Sequence, residues 1–236
     1  MLLCAALAAG SAPAAAQTTS RPGPWVLDAR GVTSPVPEEG AFYPPLDRTA
    51  VVPSRGFGLD LGAHVYLFDL GASRVGIGLN VVSVRAVTKP SEPAPTTGSV
   101  LAPAPAGQSL QVDLRMVAPQ VSFNFGSRDG WSYLSAGLGF AGVISRTASV
   151  AAGRSDSGRL NALNAGGGAR WFIKSRLAFG FDVRLHKIDG GPGGTVELLG
   201  PGAPPATPPT STPPPLVAPP TPGKMMVTVG AGFSVR

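Results

Sequence analysis

The fold class of this chain is decided by one stretch, Leu177-Ala178-Phe179-Gly180-Phe181-Asp182-Val183-Arg184-Leu185. Its odd positions are all apolar, whereas its even positions carry alanine, glycine, aspartate and arginine. A period of two is typical of a β-strand with two different faces. Over the alternating stretches of the chain as a whole, the second face is mostly Gly, Ala and Ser with a few isolated charges, rather than rich in the Thr, Lys and Glu of a solvent-exposed face. It therefore predicts the lining of a narrow closed barrel.

Seven other stretches alternate in the same way, and together they predict an all-β chain of eight strands, most of them about ten residues long. They cover residues 25–30, 57–68, 75–81, 110–125, 134–140, 163–171 and 227–235. Within 110–125 the apolar positions change from even to odd at Pro119, which predicts a β-bulge there.

The connections between these strands alternate strictly in length. Short connections lie around Gly71, at 126–130 and at 173–176, and long ones lie near 34–55, 87–109, 145–158 and 189–223. Most of the 26 prolines fall within 34–55, 87–109 and 189–223. Successive connections of an up-and-down barrel emerge at its two ends in turn. The alternation therefore predicts an eight-stranded antiparallel up-and-down barrel with long loops at one end.

Composition excludes several classes of protein. The chain has 236 residues, of which only 14% are charged, against roughly 25% in soluble domains. One cysteine excludes a disulfide framework and a cysteine-based zinc site. The net charge of +6 comes without a run of Lys and Arg, so we expect no nucleic-acid partner. No apolar stretch reaches 18 residues, so no transmembrane helix is predicted.

The N-terminus has the pattern of a secretory signal. A short apolar segment is followed by small residues up to Ala14-Ala15-Ala16, which offers a cleavage site of the A-x-A type. We expect residues 1–16 to be a cleaved signal peptide, 17–24 a periplasmic lead, and 25–236 the barrel. Cleavage would remove Cys4 and leave the mature chain without cysteine.

The apolar strand faces predict a barrel that spans a membrane. Ten residues tilted by about 40° project to roughly 25 Å, the height of the apolar band of such barrels. Six aromatic residues at the short-turn ends of the strands predict a membrane-interface belt, with a thinner belt at the other end from Phe57, Phe42 and Tyr43. The six are Trp25, Phe68, Phe125, Trp131, Trp171 and Phe233. The alternative is a soluble eight-stranded sandwich or lipocalin-like barrel whose apolar faces point inward.

Three segments resemble the small eight-stranded outer-membrane barrels of Gram-negative bacteria, of the OmpA-transmembrane and OmpX/opacity type. They are the hairpin 124–133 (NFGSRDGWSY), the strand segment 180–185 (GFDVRL) and the closing segment 229–233 (VGAGF). The resemblance implies a bacterial outer-membrane location, reached with a cleaved signal peptide. It also implies outer-membrane lipid and the barrel-assembly machinery as partners, and a monomeric barrel.

Charged and polar residues recur on the small faces of the strands, and we expect them to face the lumen. The charged set is Asp28, Arg30, Asp60, Arg74, Asp113, Arg115, Arg170, Asp182 and Arg184, joined by His64, Asn80 and Asn164. Unpaired buried charges are costly, so these residues must pair. The favoured interpretation is a salt-bridged plug, and the alternative is a gate in a narrow ion path.

No catalytic residue, cofactor or metal site is predicted. Some outer-membrane barrels that deacylate lipid A carry a Ser two residues after a His, but Tyr66 follows His64 and Ile188 follows His186. Gly76 and the run 166–168 lack the context of a phosphate-binding loop. The expected function is non-enzymatic, either structural or in surface interaction with an extracellular ligand through the long loops. The alternatives are a narrow pore for small solutes and, less favoured, a lipid-modifying enzyme.

Overall fold

The computed structural model describes residues 23–43, 51–71, 73–88, 109–127, 130–148, 152–174, 176–192, 194–199, 216–217 and 220–236. The predicted signal peptide lies outside these residues, as does most of the proline-rich sequence of the long loops. The strands are β1 (Trp25–Pro35), β2 (Arg55–Leu70), β3 (Ser73–Thr88), β4 (Ser109–Ser127), β5 (Gly130–Ala148), β6 (Ala152–Asp156), β7 (Leu160–Phe172), β8 (Leu177–Ile188), β9 (Thr195–Leu199), β10 (Leu216–Val217) and β11 (Lys224–Val235). One 3₁₀ turn, η1, covers Gly40–Phe42.

Eight of these strands close into an antiparallel barrel. The order around the ring is β1-β2-β3-β4-β5-β7-β8-β11, and β11 pairs again with β1. The closing pair runs from Leu27 opposite Val235 to Thr33 opposite Val229. The predicted eight-stranded antiparallel barrel is confirmed. No helix in the described ranges is long and apolar enough to cross a membrane.

The two ends of the barrel differ. The turns β2–β3, β4–β5 and β7–β8 are short, and we call this the short-turn end; the other is the long-loop end. Gly71 occupies the left-handed region with φ of +64° in the β2–β3 turn, a conformation that costs glycine little. The alternation of loop lengths thus matches the pattern in the sequence.

Three short strands extend the sheet beyond the barrel at the long-loop end. β5 pairs with β7 as far as Ala141 opposite Leu160, and its last residues pair with β6 instead. β6 then pairs with β9, and β9 pairs with β10. These segments lie within the predicted long loops, because strands of five residues or fewer without regular alternation give no periodic signal.

The apolar strand faces point outward, as a membrane-spanning barrel requires. Large apolar side chains of every barrel strand are exposed on the outer surface, among them Leu61, Leu79, Val121, Leu138 and Phe181. The soluble alternative needed these faces to be inside, and it is wrong for the described strands. An exposed apolar band of this size needs lipid around it.

The predicted bulge at Pro119 is wrong. The β3–β4 register runs without a shift through Leu79 opposite Pro119. A register shift lies instead between Tyr66 and Phe68, in the β2–β3 pair. β4 keeps one phase because its even positions point inward throughout, apolar near the long-loop end and polar near the short turns. The lumen therefore has an apolar half and a polar half, which a single strand cannot reveal.

Candidate functional site: the filled lumen

The polar half of the lumen is organised around Asp28 of β1. Arg170 of β7 donates two hydrogen bonds to this carboxylate, Nε to Oδ1 at 2.8 Å and Nη2 to Oδ2 at 2.7 Å. Arg30 lies 2.9 Å from Asp28 Oδ2, and Ser234 donates to Oδ1 at 2.5 Å. All four side chains are buried. A bidentate arginine–carboxylate pair is among the strongest hydrogen-bonded arrangements, so these contacts fix the positions of both side chains.

Two further carboxylates continue the network along the barrel. Asp182 accepts hydrogen bonds from Arg184 Nη2 at 3.1 Å and from the Tyr133 hydroxyl at 2.5 Å, and Arg184 Nε lies 2.8 Å from its Oδ1. Asp60 Oδ2 lies 3.4 Å from Arg30 Nη1 and 3.9 Å from Arg184 Nε. Asp60 therefore connects the group around Asp28 with the group around Asp182. Asn80 also donates to Asp60. Three arginines therefore face three aspartates, and the network is balanced in charge.

Neutral polar residues fill the space beside the charges. His64 Nε2 lies 3.3 Å from Gln120 Oε1, and Gln120 Nε2 donates to Asn164 Oδ1 at 3.0 Å. His64 Nδ1 also lies 3.8 Å from Asp28 Oδ2. The ring of Tyr133 lies under the Arg170 guanidinium, 3.9 Å from Cζ to the ring centroid. These contacts connect five strands across the lumen.

Three of the residues predicted for the lumen lie outside the buried ion-paired network. Arg74 pairs with Asp69 across the β2–β3 turn, with Nε 2.5 Å from Oδ1. Asp113 and Arg115 point outward from β4, so the prediction that they line the lumen is wrong. Asp113 pairs with Arg85, which is exposed on the outer surface. The error follows from the assumed bulge at Pro119, since a change of phase exchanges the two faces of a strand. The other predicted lumen residues lie inside the barrel.

The half of the lumen near the long loops is apolar and closed by the first loop. Phe42 and Tyr43 turn inward and pack with Leu110, Leu114 and Val143 in one buried cluster. Both aromatic side chains are almost completely buried. Their predicted place in an external membrane belt is therefore wrong. The sequence does not predict this plug, formed by Phe42 and Tyr43 of the first loop (loop 1), because a loop that packs into a barrel has no periodicity of its own.

Polar contacts hold the plug in place. Ser145 of β5 donates to the Phe42 carbonyl at 2.8 Å, and the Tyr43 hydroxyl donates to the Pro37 carbonyl. Lys224 Nζ, at the start of β11, donates to Glu39 Oε1 at 2.6 Å. Partial burial raises the pKa of Glu39, but the hydrogen bond from Lys224 and backbone donors outweigh it and hold that pKa below its usual value. Loop 1 is thus tied to both sides of the barrel mouth.

Five of the six aromatic residues predicted to form a belt lie at the outer surface near the short turns. Trp25, Phe68, Trp171 and Phe233 are exposed on the outer surface near the short turns, and Phe125 is half-buried there. Trp131 is only 1% exposed and packs inside the barrel against Phe172, with ring centroids 4.7 Å apart. Its assignment to the belt is wrong, because the apolar outward positions of β5 are even-numbered. Trp131 instead closes the lumen at the short-turn end.

The described residues contain one pair that resembles part of a catalytic site. His186 Nε2 lies 2.7 Å from Thr228 Oγ1. The two residues are only 1% and 3% exposed, so a substrate cannot reach the hydroxyl. His64 faces the lumen among the charges described above, in a separate set of contacts. No group of three or more metal-ligating side chains occurs in the described ranges.

Comparisons with known proteins address the fold. No protein-family model and no curated protein matches the sequence. Among solved structures the chain is similar to Neisserial surface protein A (NspA), with 10% identity and a TM-score of 0.46, over 90% of this chain and 97% of that one. It is also similar to the outer membrane protease OmpT from Escherichia coli, with 10% identity and a TM-score of 0.48, over 78% of this chain and 64% of that one. From its own strand pairing, the chain is an eight-stranded closed antiparallel β-barrel with an apolar outer surface.

Proposed function

We propose that this protein is a non-conducting, non-enzymatic anchor in the bacterial outer membrane. It holds a small sheet and long loops outside the cell for interaction with a surface partner. The observation that carries the proposal is the contrast between the two parts of the molecule. The lumen is filled along its length, and the additional structure lies at one end.

The filled lumen argues against a pore. A solute would have to displace the ion-paired network around Asp28, the apolar cluster and the plug formed by Phe42 and Tyr43. Separating buried ion pairs is strongly unfavourable. In planar bilayers we expect no single-channel conductance above that of the bare membrane. Steady conductance steps would overturn the anchor proposal in favour of the pore.

The extension built from β6, β9 and β10 supports a role in presentation. It begins at residues 144–147 of β5, which pair with β6 beyond the end of the β5–β7 pairing, so it lies at the long-loop end of the barrel. The long proline-rich segments occur at that same end.

Orientation can be tested by labelling intact cells. In a Cys4→Ser background, a Thr195→Cys variant places a thiol in β9, and Lys174→Cys places one in the β7–β8 turn. Both positions are exposed. A membrane-impermeant maleimide should label position 195 in intact cells and position 174 only after lysis. Labelling of position 174 in intact cells would show that the loops face the periplasm.

The enzyme alternative has a separate test. The hydroxyl that lies next to a histidine in the described barrel, Thr228 beside His186, is enclosed. We therefore expect the lipid A of expressing cells to keep its mass. A mass change that depends on His186 would contradict the non-enzymatic assignment.

A further inference from the structure

The outer surface near the long-loop end carries a cluster of arginines. Arg85, Arg115 and Arg146 point outward from β3, β4 and β5. Arg154 stands opposite Arg146 across the β5–β6 pair, and Arg159 directly precedes β7. They lie near the long-loop end of the apolar outer band, among exposed apolar side chains that include Phe57, Val87, Val117 and Phe140. Cations at this level face the headgroups of the surrounding lipid rather than its acyl chains.

Three of these arginines are already paired with carboxylates, although two of them share one aspartate. Arg85 Nε donates a hydrogen bond to Asp113 Oδ1 at 2.7 Å, and Arg146 Nη1 donates one to Asp113 Oδ2 at 2.5 Å. Arg154 Nη2 donates one to Asp156 Oδ2 at 3.2 Å. By contrast, no carboxylate in the described part of the chain pairs with Arg115 or Arg159. We call these two, which have no carboxylate partner among the described residues, the surplus arginines.

The two surplus arginines line one shallow depression of about 340 Å³. Its floor is apolar and consists of Val117 and Phe140, which stand opposite each other in the β4–β5 pair. Arg159 lies over the Phe140 ring, with Cζ 3.2 Å from the ring centroid. Gly142, opposite Arg115, and Gly158 line the depression without side chains and leave it open.

We propose that this depression binds the phosphorylated headgroup of an outer-leaflet glycolipid. The phosphate lies between the guanidinium groups of Arg115 and Arg159, and the adjoining acyl chain lies against Val117 and the edge of the Phe140 ring, whose face Arg159 covers. Two features carry the assignment. Arginine guanidinium groups match the geometry of phosphate oxygens, and an apolar floor that continues into the lipid-facing surface suits a ligand with an acyl chain. A soluble anion would leave that floor unoccupied.

The test measures lipid retention on the folded, full-length barrel. The protein is purified in detergent, incubated with lipid A that carries its phosphates, and analysed by native mass spectrometry. The variants are Arg115→Gln and Arg159→Gln. The matched control is Arg85→Gln, an arginine of the same surface that is already paired with Asp113. Heat-modifiable gel migration checks that each variant forms the closed barrel.

We expect each surplus-arginine variant to lower the apparent affinity by roughly tenfold, the size typical of one lost charge-assisted hydrogen bond. The Arg85→Gln control should stay within about twofold. Dephosphorylated lipid A should bind as weakly to the wild type as phosphorylated lipid A binds to the variants. Equal retention by the wild type and both variants, or equal retention of dephosphorylated lipid, would overturn the proposal. Competition by inorganic phosphate alone would also overturn it, because it would reveal a site for a free anion.

The inference rests on the proposed outer-membrane location, but the two can fail separately. Retention is measured on purified barrels and does not depend on which way the loops face in the cell. Labelling at position 195 of intact cells reports the location whether or not the lipid binds. If the wild-type barrel retains no lipid A but position 195 is labelled in intact cells, the lipid site is refuted and the anchor proposal still stands.

Discussion

Neutralising Asp28 tests whether the polar half of the lumen is dry. In the Asp28→Asn variant the side chain keeps its size, but Arg170 loses the only carboxylate to which it is paired in the described chain. Arg30 loses its 2.9 Å contact and retains the longer one of 3.4 Å to Asp60. The lumen changes from balanced charge to a net charge of about +1 in a poorly solvated space.

The expected cost follows from the burial of this pair. Breaking a buried ion pair by removing one partner costs about 3–5 kcal/mol, because the remaining charge has no compensation. Asparagine can still accept one hydrogen bond from Arg170, so we expect a loss near the lower limit, about 3 kcal/mol. The free energy of unfolding can be measured by urea titration of the refolded barrel in lipid vesicles, followed by tryptophan fluorescence and gel migration.

Asp113→Asn is the matched control. Asp113 also pairs with two arginines, but their side chains are 64% and 45% exposed on the outer surface. Solvent stabilises the released guanidinium groups, so this change should cost less than about 1 kcal/mol. Suppose that Asp28→Asn lowers the free energy of unfolding no more than Asp113→Asn does. The lumen is then hydrated, and the ion pairs around Asp28 do not stabilise the barrel. Replacing both Asp28 and Arg170 with apolar residues should cost less than the single change.

Three further predictions concern the loop plug and the outer surface. The contact with Lys224 lowers the pKa of Glu39 below its usual value of 4.5. The contact therefore stabilises loop 1 fully at pH values above 4.5, and this stabilisation is lost as the pH falls through the lowered pKa. A spin label at Gly40→Cys should therefore gain mobility in acid, and Glu39→Gln should remove this pH step. In single-tryptophan variants, a bilayer-restricted quencher should quench Trp171 and spare Trp131, and equal quenching would place Trp131 on the outside. Phe181→Arg, in the lipid-facing stripe of β8, should cost about 2–4 kcal/mol in vesicles, and an unchanged unfolding midpoint would contradict lipid contact there.

The strands and their order were predictable from the sequence because alternation is a local property of the chain. Each barrel strand repeats with a period of two, whichever partner it finds. The lengths of the connections then identified an up-and-down barrel. The buried charges at Asp28, Asp60 and Asp182 were also predictable, since a charge inside an otherwise regular stripe must be paired or exposed.

The contents of the lumen were decided only by the tertiary structure. The phase of β4 depends on what fills the barrel opposite it, and loop 1 supplies the apolar partner by placing Phe42 and Tyr43 against its inward side chains. That packing turns Arg115 outward, toward the surface shared with Arg159. β6, β9 and β10 likewise form because β5 extends past β7 and offers them an edge. Local periodicity determines which residues share a face of a strand, whereas the inward face is selected by side chains distant in the sequence.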